Sequence, residues 1–141
     1  MKKNDDIILD ITSLSGQGVG IGRVDGMAVF VDNTAVGDRV EAHIIKVKKN
    51  YSVGKLSKII FPSESRKEVD CPVFSRCGGC AFRHIHYKNE LEIKSAGVYD
   101  AMKRIGSLDI KPKEILPAPI EVGYRNKAQY PFGVAGEKTV V

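Results

Sequence analysis

The sequence GIGRVDGMAVFVD, residues 20–32, indicates a β fold because it holds two short apolar runs joined by the turn pair Asp25-Gly26. An Asp-Gly pair between such runs is a strong signal for a β-hairpin. Four or five short strands with close turns and no helical periodicity predict a small antiparallel barrel, either OB-like or SH3-like. The other strand-length runs are IILDITSLS at 7–15, DRVEAHIIKVKK at 38–49 and YSVGKLSKII at 51–60, with a further turn at 36–38.

Four glycines recur at every second position in the second quarter of this region, at Gly16, Gly18, Gly20 and Gly22. A dinucleotide-binding loop needs the spacing G-x-G-x-x-G between a strand and a helix, and here the chain returns to a strand pattern. We therefore predict that these glycines permit sharp coiling and close backbone approach in a small barrel.

The charge of the chain is a weak hint of a polyanionic partner, with a formal net charge of +5 and an isoelectric point near 9.1. Its distribution is more informative, because residues 44–60 carry lysines and Tyr51 but no acidic residue. Such a basic stripe fits nucleic acid, and it equally fits the solvated outer face of a strand pair. The lysines are Lys46, Lys48, Lys49, Lys55 and Lys58.

The amino-terminal sequence MKKNDDIILD resembles neither a secretory signal nor a membrane span, so we expect a cytoplasmic protein with no membrane partner. In that reducing compartment, clustered cysteines more often bind metal than form disulfides. The three cysteines of the chain all lie in CPVFSRCGGC, residues 71–80, where Gly78-Gly79 allows a tight turn. Iron–sulfur clusters and structural zinc sites normally take four protein ligands, so a histidine completes this set or a fourth ligand lies elsewhere.

The remaining sequence changes character after Pro62, where a polar linker leads into the cysteines. Apolar residues at near-helical spacing from Tyr87 to Ile105 predict a helix of about five turns, and we expect its apolar stripe to pack in a core. Prolines follow, and residues 124–141 suggest a strand, a turn and the beginning of another strand. Because that last strand has no terminating signal, we suspect that the sequence is truncated.

Taken together, these motifs resemble the amino-terminal part of the RNA (uracil-5-)-methyltransferases. The resemblance rests on the β module ending in Pro62-Ser63, the C-x5-C-G-G-C pattern, the helix, Arg104-Ile105-Gly106 and GYRNKAQYP at 123–131. It is strongest to members that modify 23S ribosomal RNA and carry a TRAM domain before an iron–sulfur motif. The domains implied are a TRAM-like OB-type barrel over 1–62, a linker and iron–sulfur loop over 63–86, and the start of an α+β central domain over 87–141.

The resemblance implies that Cys71, Cys77 and Cys80 are the first three ligands of a [4Fe-4S] cluster whose fourth ligand lies outside these 141 residues. It places the Rossmann-like S-adenosylmethionine-binding domain, the nucleophilic cysteine and the general base outside them as well. No catalytic residue is therefore named here, and we expect the chain alone to be inactive. The family reaction adds a cysteine to C6 of uracil, which activates C5 for methylation, and a base then removes the C5 proton.

The partner implied is ribosomal RNA, and we expect a monomer. On the barrel, lysines would contact phosphates and Tyr51 would stack on a base. A second group flanks the cysteines, and a third comes from the YRNK motif. The predicted RNA contacts are Lys46, Lys48, Lys49, Tyr51 and Lys55; then Arg76, Phe82, Arg83 and His84; then Arg125 and Lys127.

Two other functions remain open from the residues alone. The first is a freestanding RNA-binding module with a Cys3His zinc site, completed by His84 or His86. The second is a small electron-transfer protein, which would need a complete ligand set around its cluster.

Overall fold

In a computed structural model, the protein is described over residues 1–124, 126–127, 129 and 132–140. The first part of the chain forms five strands, as the alternation of apolar and polar residues predicts. They are β1 (Asp6–Leu14), β2 (Gly20–Val24), β3 (Met27–Val31), β4 (Arg39–Val47) and β5 (Tyr51–Phe61).

These strands close into a barrel with the order β1-β2-β3-β5-β4. Neighbouring strands are antiparallel except β3 and β5, which pair in parallel with Phe30 opposite Val53. The barrel closes because β4 also pairs with β1, from Asp6 opposite His43 to Asp10 opposite Arg39. A closed five-stranded barrel of this kind is the OB architecture, so the predicted OB-like fold is confirmed.

The core lies inside this barrel, and its buried apolar side chains come from β1, β3 and β4. Alternate residues of each strand point inward, so β4 contributes Val40, Ala42 and Ile44, each with no exposed surface. The other buried apolar side chains of the cluster are Leu9, Ile11, Val29 and Val31. Removing this apolar surface from water is the main source of stability for the barrel.

Turns and glycines fit the predicted geometry. Asp25 and Gly26 both have positive φ, at 50° and 80°, which suits the two-residue hairpin between β2 and β3. Inside the barrel a Cβ on Gly20 would overlap Thr34 Oγ1, and one on Gly22 would overlap the Asp10 carbonyl oxygen. Gly22 thus lies at a close backbone approach, as predicted, and Gly20 makes room for the Thr34 side chain, whereas a Cβ on Gly16 would meet no atom within 4 Å.

Beyond the barrel, the chain contains two helices and a short hairpin. They are α1 (Phe74–Cys77), α2 (Tyr87–Arg104), β6 (Gly133–Ala135) and β7 (Lys138–Val140). The long helix occurs where its apolar spacing predicts, with Lys103 and Arg104 in its last turn, where cations favour the negative end of the helix dipole. Within the described residues, no helix is both long enough and apolar enough to cross a membrane.

One expectation about this region is wrong. None of the residues of α2 is buried in the described structure, so its apolar stripe does not pack in a core there. Val98 is about half exposed, and Ile105, just after the helix, is 86% exposed. In the described residues the carboxyl-terminal hairpin consists of Gly133–Ala135 and Lys138–Val140, and the strand predicted from residue 124 falls partly outside the described residues.

Candidate nucleic-acid interface and cysteine segment

Residues 70–83, which we call the cysteine segment, follow the linker and turn back toward the barrel. Cys71 precedes α1 and is partly exposed, Cys77 is the last residue of α1, and Cys80 follows two glycines. Gly78 ends the helix with a φ of 68°, a conformation that glycine adopts without a steric penalty. All three cysteines lie in the described part of the chain and are free thiols.

The three cysteines are chemically suited to bind a metal ion or an iron–sulfur cluster, because three thiols within ten residues can become thiolate ligands. Their arrangement is open, however. In the described residues, no three histidine, cysteine, aspartate or glutamate side chains lie close enough together to hold a metal ion. The assignment of these cysteines as ligands therefore stays a prediction.

Arg83 links the two ends of the cysteine segment. Its Nε donates to Asp70 Oδ1 at 2.7 Å and its Nη2 donates to Asp70 Oδ2 at 2.8 Å, a bidentate pair. The hydrogen bond from Arg83 lowers the pKa of Asp70, and the same bond raises the pKa of Arg83, with a smaller contribution from Cys80. Arg83 was predicted to contact RNA, and in this structure its guanidinium is engaged by Asp70 beside Cys71.

The linker docks on the barrel through a buried ion pair between Asp38 and Arg66. Asp38 is fully buried, and Arg66 reaches it with Nε at 2.8 Å from Oδ1 and Nη2 at 2.7 Å from Oδ2. The backbone N–H groups of Ala35 and Ser63 also donate to this carboxylate. Burial alone would raise the pKa of Asp38, but these hydrogen bonds and the charge of Arg66 lower it, so the carboxylate stays ionised.

His84 forms the second part of this contact. It is 2% exposed, and because a carbonyl oxygen only accepts, its Nε2–H donates to the Thr34 carbonyl at 3.0 Å. Its Nδ1 is buried with no partner in the described structure, and Phe74 packs against the ring at 5.4 Å between centroids. Burial lowers the pKa of His84, and Arg66 lowers it further, so the ring is kept neutral.

The surface position expected for His84 is therefore wrong, because the ring lies inside the contact between barrel and linker. We call this contact the barrel–linker interface and define it by Thr34, Asp38, Arg66 and His84. Main-chain bonds reinforce it, with the His86 N–H donating to the Ser65 carbonyl at 2.8 Å. Of the two histidines that could complete a zinc site, His84 is held by the barrel through its Nε2 bond to Thr34, whereas His86 is exposed.

The basic residues predicted on the barrel lie where β4 and β5 meet, and we call them with Tyr51 the basic face. All of them are exposed, and Tyr51 is 39% exposed. Lys55 lies opposite His43, and Lys46 lies opposite Val53 on the same strand pair. Tyr51 packs edge-on against Phe30 of β3 at 5.6 Å, which orients its ring. The members are Lys46, Lys48, Lys49, Tyr51 and Lys55.

The remaining predicted contacts are scattered. Arg76 on α1 is exposed, and Lys127 near the carboxyl terminus is exposed. Phe82 is half-buried, with the Lys94 ammonium 5.8 Å from its ring centre. Arg125 lies outside the described residues. Arg76, Phe82 and Arg83 all belong to the cysteine segment, which is separate along the chain from the basic face.

Sequence reasoning missed Asp38, Arg66 and Thr34, the residues that attach the linker to the barrel. Asp38 was interpreted only as part of a turn, and Arg66 only as part of a polar linker. The one available signal was that turn, because a buried Asp often accepts hydrogen bonds from nearby backbone N–H groups. Nothing local in the sequence paired it with a residue 28 positions away.

Comparison with known proteins identifies the class of the barrel. Residues 7–57 match the TRAM domain family, and the closed barrel covers this range. The first part of the chain is therefore similar to TRAM domains. A solution structure of a conserved protein from Methanococcus maripaludis aligns over 41% of this chain and 83% of that chain, with 24% identity and a TM-score of 0.40.

Similarity to longer proteins extends beyond the barrel. A protein of Clostridium tetani named as an uncharacterized RNA methyltransferase is 43% identical over 133 residues, covering 94% of this chain and 29% of the relative. Counterparts with that name in Synechocystis and Listeria monocytogenes are 46% and 41% identical, covering 88% and 98% of this chain. The chain spans 27% and 30% of those two relatives. The chain is thus similar to proteins named RNA methyltransferases along nearly its whole length, which supports the methyltransferase part of the resemblance seen in its motifs.

Proposed function

We propose that this chain is the RNA-binding and [4Fe-4S]-binding portion of an S-adenosylmethionine-dependent enzyme that methylates C5 of a uracil in 23S ribosomal RNA. The observation that carries the proposal is a TRAM barrel with a basic face, followed directly by three free cysteines on a segment docked against that barrel. The relation to proteins named RNA methyltransferases supports the enzyme class.

RNA binding by the basic face follows from its chemistry. Lysine ammonium groups neutralise phosphates and release counterions, which gives affinity without reading sequence. Tyr51 offers a ring whose orientation is fixed by Phe30, and an unstacked base can pack on such a ring. A strand pair bearing lysines beside one aromatic therefore suits single-stranded RNA better than a duplex.

The cysteine segment would hold the cluster through Cys71, Cys77 and Cys80, with a fourth ligand from elsewhere. When bound, the cluster cross-links a segment that has little core of its own. Arg83 and Asp70 already connect the two ends of that segment, and the barrel–linker interface anchors its far side. These contacts fix the segment beside the barrel, where it extends the surface available to RNA.

In the whole enzyme a cytoplasmic ribosomal RNA would be the substrate and S-adenosylmethionine the methyl donor. A uracil inside folded RNA must leave its stack before C5 can react. Holding the flanking strand makes this unstacking easier. The residues of this chain are assigned to that holding role, and the covalent chemistry is assigned to the rest of the enzyme.

RNA binding is tested with the double variant Lys48→Ala/Lys49→Ala and a fluorescein-labelled 12-nucleotide oligouridine in an anisotropy titration. Each lost phosphate contact lowers the slope of log affinity against log salt by about 0.7, so two lysines should lower it by about 1.4. Affinity at low salt should fall by about tenfold.

The matched control is Lys111→Ala/Lys113→Ala, which removes two exposed lysines and the same charge away from the barrel. It should change the slope far less. Equal effects of the two double variants would mean that binding depends on net charge alone, and the basic face would lose its role.

The cluster is tested by anaerobic reconstitution with iron and sulfide, followed by metal analysis and visible absorption. We expect iron, sulfide and a brown colour in the wild-type chain, with weak retention because one iron lacks a protein ligand within these residues. The triple variant with serine at positions 71, 77 and 80 should bind neither iron nor sulfide and should remain colourless. A colourless wild-type chain that binds zinc stoichiometrically would instead support the Cys3His alternative.

A further inference from the structure

A cleft of about 320 Å³ lies between the barrel and the cysteine segment. One wall is formed by the loop between β1 and β2 and by the loop after β3, and the other wall is formed by α1 and the residues after it. This volume is at the lower end of the range for small-ligand sites. The residues that matter below are Gln17, Asp32, Asn33, Phe74 and Arg76.

The barrel wall of this cleft is held in place by hydrogen bonds to the main chain. Asn33 has a φ of 60°, and its carbonyl accepts a bond from Arg66 Nη2 at 2.8 Å. The Gln17 N–H donates to Ser15 Oγ at 3.3 Å. Both bonds use main-chain atoms of Asn33 and Gln17, so they position these residues without using the side-chain amides.

The opposite wall is fixed by the same interface. Phe74 packs on His84, which is itself bonded to Thr34 of the barrel. Gly18 approaches Ala81 so closely that a Cβ would lie 2.9 Å from the Ala81 carbonyl oxygen. The two walls therefore meet through direct contacts, and the cleft is formed before a ligand arrives.

The polar groups of the cleft match the edges of one base. The carboxylate of Asp32 is an acceptor with two oxygens, and the guanidinium of Arg76 and the amides of Asn33 and Gln17 supply donors. Guanine presents two adjacent donors, N1–H and N2–H, with the acceptors O6 and N7 beside them. Uracil presents a single N–H between two carbonyl oxygens, which would face the Asp32 carboxylate unfavourably.

We propose that this cleft binds one unstacked guanine of the RNA, with Asp32 accepting from N1–H and N2–H and with Arg76 and Asn33 donating to O6 and N7. The proposal rests on the RNA binding proposed above and adds a site for a base other than the reacting uracil. Unstacked bases are read on these edges when proteins recognise single-stranded RNA. The ring of Phe74 at the bottom of the cleft would contact the base.

The test uses four labelled nine-nucleotide RNAs that are identical except at the centre: oligouridine with a central guanosine, inosine, adenosine or uridine. Inosine lacks only the 2-amino group of guanosine, so this pair isolates the bond to Asp32. We expect the wild-type chain to bind the guanosine probe at least about fivefold more tightly than the inosine probe. Asp32→Asn should abolish that preference, and it should not weaken binding to the uridine probe.

The control is Asp25→Asn, which removes an exposed carboxylate from the hairpin turn of the barrel, where asparagine tolerates the positive φ. It should keep the preference for guanosine. Arg76→Ala should lower the affinity for the guanosine probe more than the affinity for the uridine probe.

The outcomes separate this inference from the proposed function. Equal affinity for all four probes, with the salt dependence expected for the basic face, would overturn the guanine site and leave RNA binding intact. Failure to bind any probe would overturn both. A preference for guanosine that survives in Asp32→Asn would overturn the role of Asp32 and with it the proposed recognition.

Discussion

The barrel and the helix α2 are similar in apolar content along the sequence and opposite in burial. Residues of β4 such as Val40 and Ile44 have no exposed surface, whereas none of the residues of α2 is buried in the described structure. The barrel is held by strand pairs between residues far apart in sequence, among them β1 with β4. The side-chain contacts of the helix are mostly between residues close in sequence, so the two regions depend on different kinds of interaction.

Most of the side-chain contacts that stabilise α2 join residues close in sequence. Lys94 pairs with Glu90 at 2.6 Å and Arg104 with Asp100 at 3.7 Å, both at the i,i+4 spacing that stabilises helices by a few tenths of a kcal/mol. After the helix, the Tyr99 hydroxyl donates to Asp109 and the Ala118 N–H donates to the Tyr87 hydroxyl. These exposed bonds add little each, because water competes for the same groups.

Regular secondary structure and a packed core are therefore separate consequences of this sequence. Apolar spacing and terminal charges suffice to define α2, while the barrel also needs its long-range register to bury the same kinds of side chain. The barrel should therefore determine the cooperative unfolding of the chain, and α2 should open more readily.

The largest effect is expected from Ile44→Ala compared with Ile105→Ala. Ile44 is fully buried, so truncation leaves a cavity and should lower the free energy of unfolding by about 2–5 kcal/mol. Ile105 is 86% exposed, and its truncation should change stability by about 0.5 kcal/mol or less. Urea unfolding followed by circular dichroism measures both. Similar losses in the two variants would show that the region after the barrel also has a packed core.

A smaller but still large effect is expected at the barrel–linker interface from Asp38→Asn. The substitution keeps the shape of the side chain but leaves the mostly buried Arg66 without its counter-ion, which should lower the free energy of unfolding by about 2–3 kcal/mol. The linker should also become more sensitive to limited proteolysis, because it loses its main attachment.

The control for this prediction is Asp10→Asn, which breaks the exposed pair with Arg39 at 3.5 Å. Exposed pairs contribute about 0–1 kcal/mol, so stability should hardly change. If Asp38→Asn and Asp10→Asn lower the free energy of unfolding by the same amount, the linker is not attached to the barrel through this ion pair.

Much of the fold was predictable because its signals are local. Asp25-Gly26 marked a hairpin, alternation marked strands whose ends agree with the structure within a few residues, and the helix followed from spacing from Tyr87 onward. The burial of α2 was mispredicted for the converse reason. Apolar spacing reports that one face of a helix could be covered, but whether a covering surface exists depends on the rest of the fold.

The site was predictable in its parts and not in its assembly. Lysines at 46–55 were correctly expected on the exposed surface of the barrel, since their residue types are rarely buried. The burial of His84 was not predicted, because its bond to Thr34 joins residues 50 positions apart and no sequence pattern near either residue indicates it. The cleft depends on that same contact, so it too became visible only when both walls were in place.

The smallest effect is expected where the barrel meets the cysteine segment, in a comparison of Gly18→Ala with Gly26→Ala. Both glycines have a φ of 80°, so alanine should be strained by a similar amount at each, about 1–2 kcal/mol. In the described structure a Cβ at position 26 meets no atom within 4 Å, whereas one at position 18 would meet the Ala81 carbonyl at 2.9 Å. The difference between the two variants therefore isolates that contact.

We expect Gly18→Ala to lose up to about 1 kcal/mol more than Gly26→Ala in urea unfolding, because Ala81 must move away. Cys80, the residue before Ala81, should then react faster with a maleimide under native conditions, since the segment no longer packs on the barrel. Identical unfolding and identical thiol reactivity in the two variants would mean that the segment does not rest on the barrel at Gly18. In that case the walls of the cleft would be independent, and the barrel alone would have to account for any base preference.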